Sequence, residues 1–240
     1  MKSKLAFDNW RGLLGIELSP VSHRERLISA LGAAIGIALV YGITRSVLGP
    51  GHALILAAPI GATAVLLFAI PHGAMSQPWP VVGGYAISTT IGVICAMLVP
   101  DEIVASGVAV GLSIAFMHYL RCLHPPGGAI ALMAVIGGEQ IRGLGFSLVL
   151  APVLLNVLVI LLMAIVCGAF FPWRRYPAAL GRIRTTVTSE RNAHQAISHE
   201  DFVYALSQID SFIDASEEDV LRIYALATGR DSRHESDGAN

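Results

Sequence analysis

Six apolar runs dominate the chain, at residues 27–48, 53–70, 81–99, 103–120, 128–137 and 146–171, and its charged residues gather between them and at the two ends. A helix needs about 20 apolar residues to cross the hydrocarbon core of a bilayer. Five runs approach that length, whereas 128–137 falls short, and a short run introduced by a break reads as a re-entrant or interrupted helix. The pattern therefore predicts an all-α, polytopic membrane protein of about six transmembrane helices, one of them short or interrupted. Ser22-His23-Arg24-Glu25 has the form of a capping box that opens the first span. The segment before it carries Trp10, Leu13, Leu14 and Ile16, which suits the membrane surface.

The break is His124-Pro125-Pro126-Gly127-Gly128-Ala129. Backbone facing lipid has no water to satisfy its peptide groups, so such a segment must be buried in protein or line a polar cavity. That points to a transporter or channel. Composition agrees: 54% of residues are hydrophobic and 14% charged, with a mean hydropathy of +0.64, too apolar for an ordinary soluble domain.

Charge divides the chain into an N-terminal segment (1–21), a transmembrane domain (22–177) and a helical tail (178–240). Lys2, Lys4, Arg11, Arg24 and Arg26 precede the first span, and Arg174, Arg175, Arg182 and Arg184 follow the last, so the positive-inside rule puts both termini in the cytoplasm. A four-span arrangement has the same parity; six is the count that length and charge favour. The basic start followed by a long span is not a cleavable signal, and the expected location is the cell inner membrane. From Gly181 the tail holds six arginines and eleven acidic residues, a net of −5. Ser198-His199-Glu200-Asp201 and Ser216-Glu217-Glu218-Asp219 read there as two helix starts of a short cytoplasmic hairpin.

Cys95, Cys122 and Cys167 lie in or beside apolar runs without metal or redox spacing and read as buried thiols. No phosphate-binding loop, zinc-type histidine pair or nucleophile elbow is present. The expectation is a protein that is not an enzyme and has no catalytic residue, metal, cofactor or nucleic-acid partner.

An internal comparison sharpens the site. Pro59-Ile60-Gly61-Ala62-Thr63-Ala64 lies over Pro126-Gly127-Gly128-Ala129-Ile130-Ala131 at an offset of 67 residues, and the same offset sets Thr89 on Asn156. Chance is the competing explanation in a chain this rich in Gly and Ala; if the match is a true repeat, two repeats of three spans are necessarily inverted, an architecture that places substrate at the repeat interface near the midplane. Two helix starts, Gly61-Ala62-Thr63 and Pro126-Gly127-Gly128-Ala129, then present amides and positive dipole ends to a small anion. Between residues 27 and 171 the charged residues are Arg45, Asp101, Glu102, Arg121, Glu139 and Arg142, all at span ends or in loops, so the intramembrane carboxylate of a cation or proton carrier is missing. Gln77, Ser88, Thr89, His124 and Asn156 complete the candidate substrate-binding set. For His124, a bond to the broken backbone and a contact with substrate weigh equally. For Ser88, Thr89 and Asn156, bonding within or between helices is the competing role. Gly32-x-x-x-Gly36 reads as a helix-packing face, within the chain or across a homodimer, for which the tail is the other candidate surface.

His124-Pro125-Pro126-Gly127-Gly128-Ala129, with Ala131-Leu132, the block from Ala58 to Phe68, and Ser76-Gln77-Pro78 followed by Gly83-Gly84, resembles the recurring blocks of the HPP family of integral membrane proteins. The resemblance covers roughly residues 22–172. It implies a small multi-span membrane protein, commonly described with four spans, and a transport function, nitrite being the substrate associated with cyanobacterial and chloroplast members. Two positions depart from the family pattern: Ile130 stands where a hydroxyl residue is frequent, and Trp79 where a basic residue is. The expected function is transport of a small inorganic anion, nitrite foremost; the alternative is a membrane sensor or scaffold signalling through the tail.

Overall fold

The computed structural model describes residues 21–182, without side-chain detail for 47, 48, 50–56, 181 and 182. The expected N-terminal surface segment and the tail hairpin lie outside the described residues. Within them the chain is helical and contains no strand: α1 (His23–Leu48), α2 (Pro50–Ala69), α3 (Pro78–Leu98), α4 (Glu102–Tyr119), α5 (Pro125–Ile136), α6 (Gly138–Arg142), α7 (Leu155–Phe170) and α8 (Ala178–Arg182). Six apolar helices thus stand where the six runs predict. Four stretches are long and apolar enough to cross a membrane, namely His23–Ser46, Pro78–Leu98, Glu102–Tyr119 and Val149–Phe170, while Ala57–Ala69 and Pro125–Ile136 are shorter.

Local chemistry sets the boundaries. Ser22 caps α1 by accepting a hydrogen bond from the Glu25 amide at 3.2 Å. Asp101 caps α4 in the same way through Val104 N–H, at 2.8 Å. One residue, Gly49, reverses the chain between α1 and α2 with φ 85° and ψ 168°, a region open essentially to glycine alone. The last span is not the single helix expected over 146–171. It opens with a π-helical stretch, Val149–Leu154, in which Ala151 is extended (φ −135°, ψ 113°), because Pro152 has no N–H to donate and its ring clashes with the preceding turn.

Along α1 two stripes at four-residue spacing separate lipid from protein. Leu27, Leu31, Ile35 and Leu39 are exposed, as a lipid-facing stripe is, while Gly32, Gly36, Val40 and Thr44 are buried. A Cβ at Gly32 would stand 2.6 Å from the Phe68 ring, and one at Gly36 2.7 Å from Ile160. The Gly32/Gly36 face thus packs within the chain, against α2 and α7, the first of the two placements that the sequence leaves open for it.

Closely packed helix pairs are α1 with α2 and α7, α4 with α5 and α3, α2 with α5 and α7, and α3 with α5 and α7. Exchanging α1, α2 and α3 for α4, α5 and α7 leaves this set unchanged, the neighbour pattern of two three-helix repeats. One end of the bundle gathers the start of α1, the 70–77 turn, the start of α5 and the 171–178 segment. There Arg174, buried, pairs with buried Glu25 and donates to Ser29 Oγ at 2.9 Å and to the Phe68 carbonyl at 2.6 Å. Trp173 Nε1 donates to the second Glu25 oxygen at 3.0 Å. Arg174, which the sequence offers as a flanking surface charge, is instead the clasp between the first and last spans. At the opposite end Arg142 pairs with Glu102 at 2.6 Å, both partly exposed.

Candidate functional site

α5 begins inside the bundle. His124 precedes a proline, which drives it out of the helical region, and it sits at φ −142° and ψ 104° with the two prolines opening the helix behind it. Its buried ring joins three elements. His124 Nδ1 lies 2.9 Å from the Met75 carbonyl, which can only accept, so Nδ1 carries the proton and Nε2 is the acceptor. Thr63 Oγ1, 2.9 Å from Nε2, then donates to it, and the Tyr85 hydroxyl, 2.8 Å from Thr63 Oγ1, donates to Thr63. The chain Tyr85 to Thr63 to His124 to Met75 ties α2, α3, the 74–76 turn and the start of α5 together, with all three side chains buried. Of the two roles weighed for His124, the ring takes the bond to backbone, that of Met75 rather than of its own motif.

The loop leading to His124 runs along the start of α3. A Cβ at Gly83 would meet Cys122 at 3.0 Å, and one at Gly84 would meet the His124 Cβ at 2.7 Å and the Cys122 carbonyl at 3.1 Å. Gly83-Gly84 is therefore a track on which the break lies. Deeper, Gly127 is enclosed by Ser88 Oγ, the Gly84 carbonyl and Met117 Sδ, which would stand 2.9, 3.0 and 3.1 Å from an added Cβ. Gly128, by contrast, meets only Val110, at 3.9 Å.

The expected amide cradle changes on two counts. Gly61, Ala62 and Thr63 are not a helix start: α2 continues through Pro59, whose ring removes a single helical donor. At the start of α5 two of the first three residues are prolines without an N–H, and the Gly127 amide bonds the His124 carbonyl at 2.8 Å. What remains unpaired is hydroxyl. Ser88 Oγ on α3 and Ser113 Oγ on α4 are buried and make no hydrogen bond among the described residues. A buried polar atom without a partner costs on the order of 1–3 kcal/mol, so such atoms mark places where a guest or water completes the bonding.

The other expected site residues divide clearly. Thr89 Oγ1 bonds back to the Tyr85 carbonyl at 2.6 Å, and Asn156 Oδ1 accepts from Thr44 Oγ1 at 2.7 Å, joining α7 to α1. Gln77 Nε2 donates to the Pro71 and Gly73 carbonyls at 3.1 and 2.9 Å, and its Oε1 accepts from the Ala178 amide at 3.1 Å. Gln77 is thus a staple of the 70–77 turn and the 171–178 segment. Pro126 is buried, while Ala62 and Ala129 are exposed and Gly61 has open space beside it. Thr63 and His124 are in direct contact, as are Ser88 and Gly127; Asn156 stands apart, on Thr44.

Sequence reasoning misses Tyr85, Met75, Met117, Ser113 and Arg121. A cavity of about 230 Å³ lies at the end of the bundle where α5 starts, lined by Met75, Met117, His118, Arg121 and Leu123 among others. Tyr85 carries a signal, as the tyrosine directly behind Gly83-Gly84; the others become visible only when α3, α4 and α5 are assembled. Among the described residues the interior holds two ionised side chains, Glu25 and Arg174, which neutralise each other at the bundle end.

Residues 18–177 match the family model described as "HPP, transmembrane region". Two transmembrane proteins of Dictyostelium discoideum are similar, one 34% identical over 177 residues (71% of this chain, 56% of the relative), the other 39% identical over 127 residues (51% and 44%). The chain spans about half the length of these curated relatives. No solved structure matches it.

Proposed function

The chain belongs to the HPP transmembrane family, and from that premise we propose that it transports a small inorganic anion past the start of α5, with nitrite, the substrate associated with the family, as the leading candidate. One observation carries the reading: a helix starts within an apolar bundle, its first turn made of prolines and glycines and faced by a buried hydroxyl, Ser88, that has no hydrogen-bond partner among the described residues. Irregular backbone at membrane depth belongs to sites that line a path. With no buried carboxylate among the described residues apart from Glu25, which Arg174 neutralises, hydroxyls and a positive helix end suit an anion better than a cation. On the positive-inside rule the end bearing Arg24, Arg26, Arg121 and Arg175 faces the cytoplasm of a cell inner membrane.

The test is nitrite uptake into proteoliposomes, with nitrate, formate, bicarbonate and chloride as competitors. Gly128→Leu is the informative variant, because a Cβ on the half-buried Gly128 meets only Val110, at 3.9 Å; thermal unfolding in detergent checks that the variant is folded. Uptake by the native chain that is lost in folded Gly128→Leu is the expected result. Full uptake by the variant would remove the start of α5 from the path, and no uptake of any anion by the native chain would favour the sensor or scaffold reading. Removal of 183–240 separates the two, since a transporter keeps its flux without the tail.

A further inference from the structure

Met117 has the cavity on one side and the inner glycines on the other. It lines the 230 Å³ space, and its sulfur packs at 3.1 and 3.5 Å from where a Cβ would stand on Gly127 and Gly84. Met117 is 1% exposed, so its buried side chain stands between the cavity it lines and Gly127. Behind it Ser88 Oγ faces Gly127, and Ser113 lies one turn before Met117 on the same buried stripe of α4; both hydroxyls lack a hydrogen-bond partner among the described residues. An unbranched thioether with three rotatable bonds moves aside without backbone rearrangement, which a β-branched or aromatic residue in that place would not do.

The mouth of the cavity has a cation that the backbone does not favour. Arg121 sits at φ 53°, in the left-handed region that costs an ordinary L-residue roughly 1–2 kcal/mol and that glycine or asparagine adopts more cheaply. Its exposed guanidinium makes no hydrogen bond or ion pair among the described residues, and His118 stands beside it on the cavity wall.

We infer that this cavity is the vestibule of the anion path, with Arg121 as its recruiting charge and Met117 as the gate to an inner site formed by the Ser88 and Ser113 hydroxyls at the start of α5. The inference deepens the transport reading and rests on it. The expected guest is a small anion of a few atoms that accepts hydrogen bonds from hydroxyls, since the buried charged side chains among the described residues, Glu25 and Arg174, pair with each other.

Two measurements test it. In proteoliposome uptake of nitrite, Arg121→Asn removes the charge while suiting the left-handed backbone, so the protein keeps its stability. KM should rise about fivefold to tenfold, as for loss of one partly exposed ion contact, with little change in maximal rate, and Arg121→Lys should recover most of it. Met117→Ala should raise the maximal rate. Unchanged KM in Arg121→Asn and unchanged rate in Met117→Ala, with the native chain active, would overturn the inference and leave the transport reading standing.

The second measurement needs no substrate. In a chain with Cys95, Cys122 and Cys167 replaced by alanine, Ser88→Cys is exposed to an anionic methanethiosulfonate reagent. Its modification should be at least about tenfold faster when Met117→Ala is added, because the accessible fraction multiplies the rate. Ser113→Cys serves the same purpose if Ser88→Cys does not fold. Equal rates with and without Met117 would overturn the gate even if the native chain carries no anion, an outcome that by itself would count against the transport reading.

Discussion

Thr63 shows how much one hydroxyl decides here. It accepts from Tyr85 and donates to His124, so its loss strands two buried polar groups on two different elements. Thr63→Val keeps the shape and removes the hydroxyl; it should lower unfolding stability in detergent by about 1–3 kcal/mol, whereas Thr63→Ser should lose well under half of that. A thermal or denaturant unfolding series on the two variants checks the difference, and equal losses would mean that packing rather than the hydrogen-bond chain is what Thr63 supplies. The threonine was legible as a site residue because it sits in the repeated proline–glycine segment. Its partners were not, since Tyr85 and His124 lie 22 and 61 residues away and only the packing of α2 against α3 and α5 brings them within reach.

The elements divide by what fixes them. Helix starts at Ser22 and the His124 break follow from cap and proline chemistry confined to a few neighbouring residues, so the sequence exposes them directly. The α1–α2 reversal is equally local: it depends on one glycine with φ 85° and nothing within 4 Å of an added Cβ. Gly49→Ala should therefore cost about 1–3 kcal/mol through backbone strain alone. The loss should appear in thermal unfolding of Gly49→Ala and not in a Gly42→Ala control, because Gly42 is helical and also has open space beside it. The bend at Ala151 was harder to read. Pro152 was visible in the sequence, yet the long apolar run around it hid the interruption, because hydropathy records what a residue transfers from water and not whether its peptide group continues a helix.

At the scale of the whole molecule, the Glu25–Arg174 pair joins the first span to the segment after the last. Removing one partner leaves a buried charge, so Glu25→Gln should cost about 3–5 kcal/mol, while Glu25→Met with Arg174→Met should recover a large part of that loss. Unfolding transitions of the single and double variants decide it; a double variant as unstable as Glu25→Gln would show that the hydrogen bonds to Phe68, Ser29 and Trp173 matter more than charge balance. The six apolar runs, the pairing of helices in two groups of three and the broken fifth span were available from the sequence, because hydrophobic length, internal similarity and proline placement are properties of the chain read along itself. Three things were decided only by tertiary structure: that Gly32 and Gly36 serve α2 and α7, that Arg174 is a buried clasp, and that Met117 lines a cavity while packing on Gly127, beside Ser88 Oγ, which has no hydrogen-bond partner among the described residues. Each depends on which faces of distant helices meet. In a chain whose spans are apolar all round, periodicity does not mark the face turned toward protein, so burial and polar pairing are fixed by packing rather than by pattern.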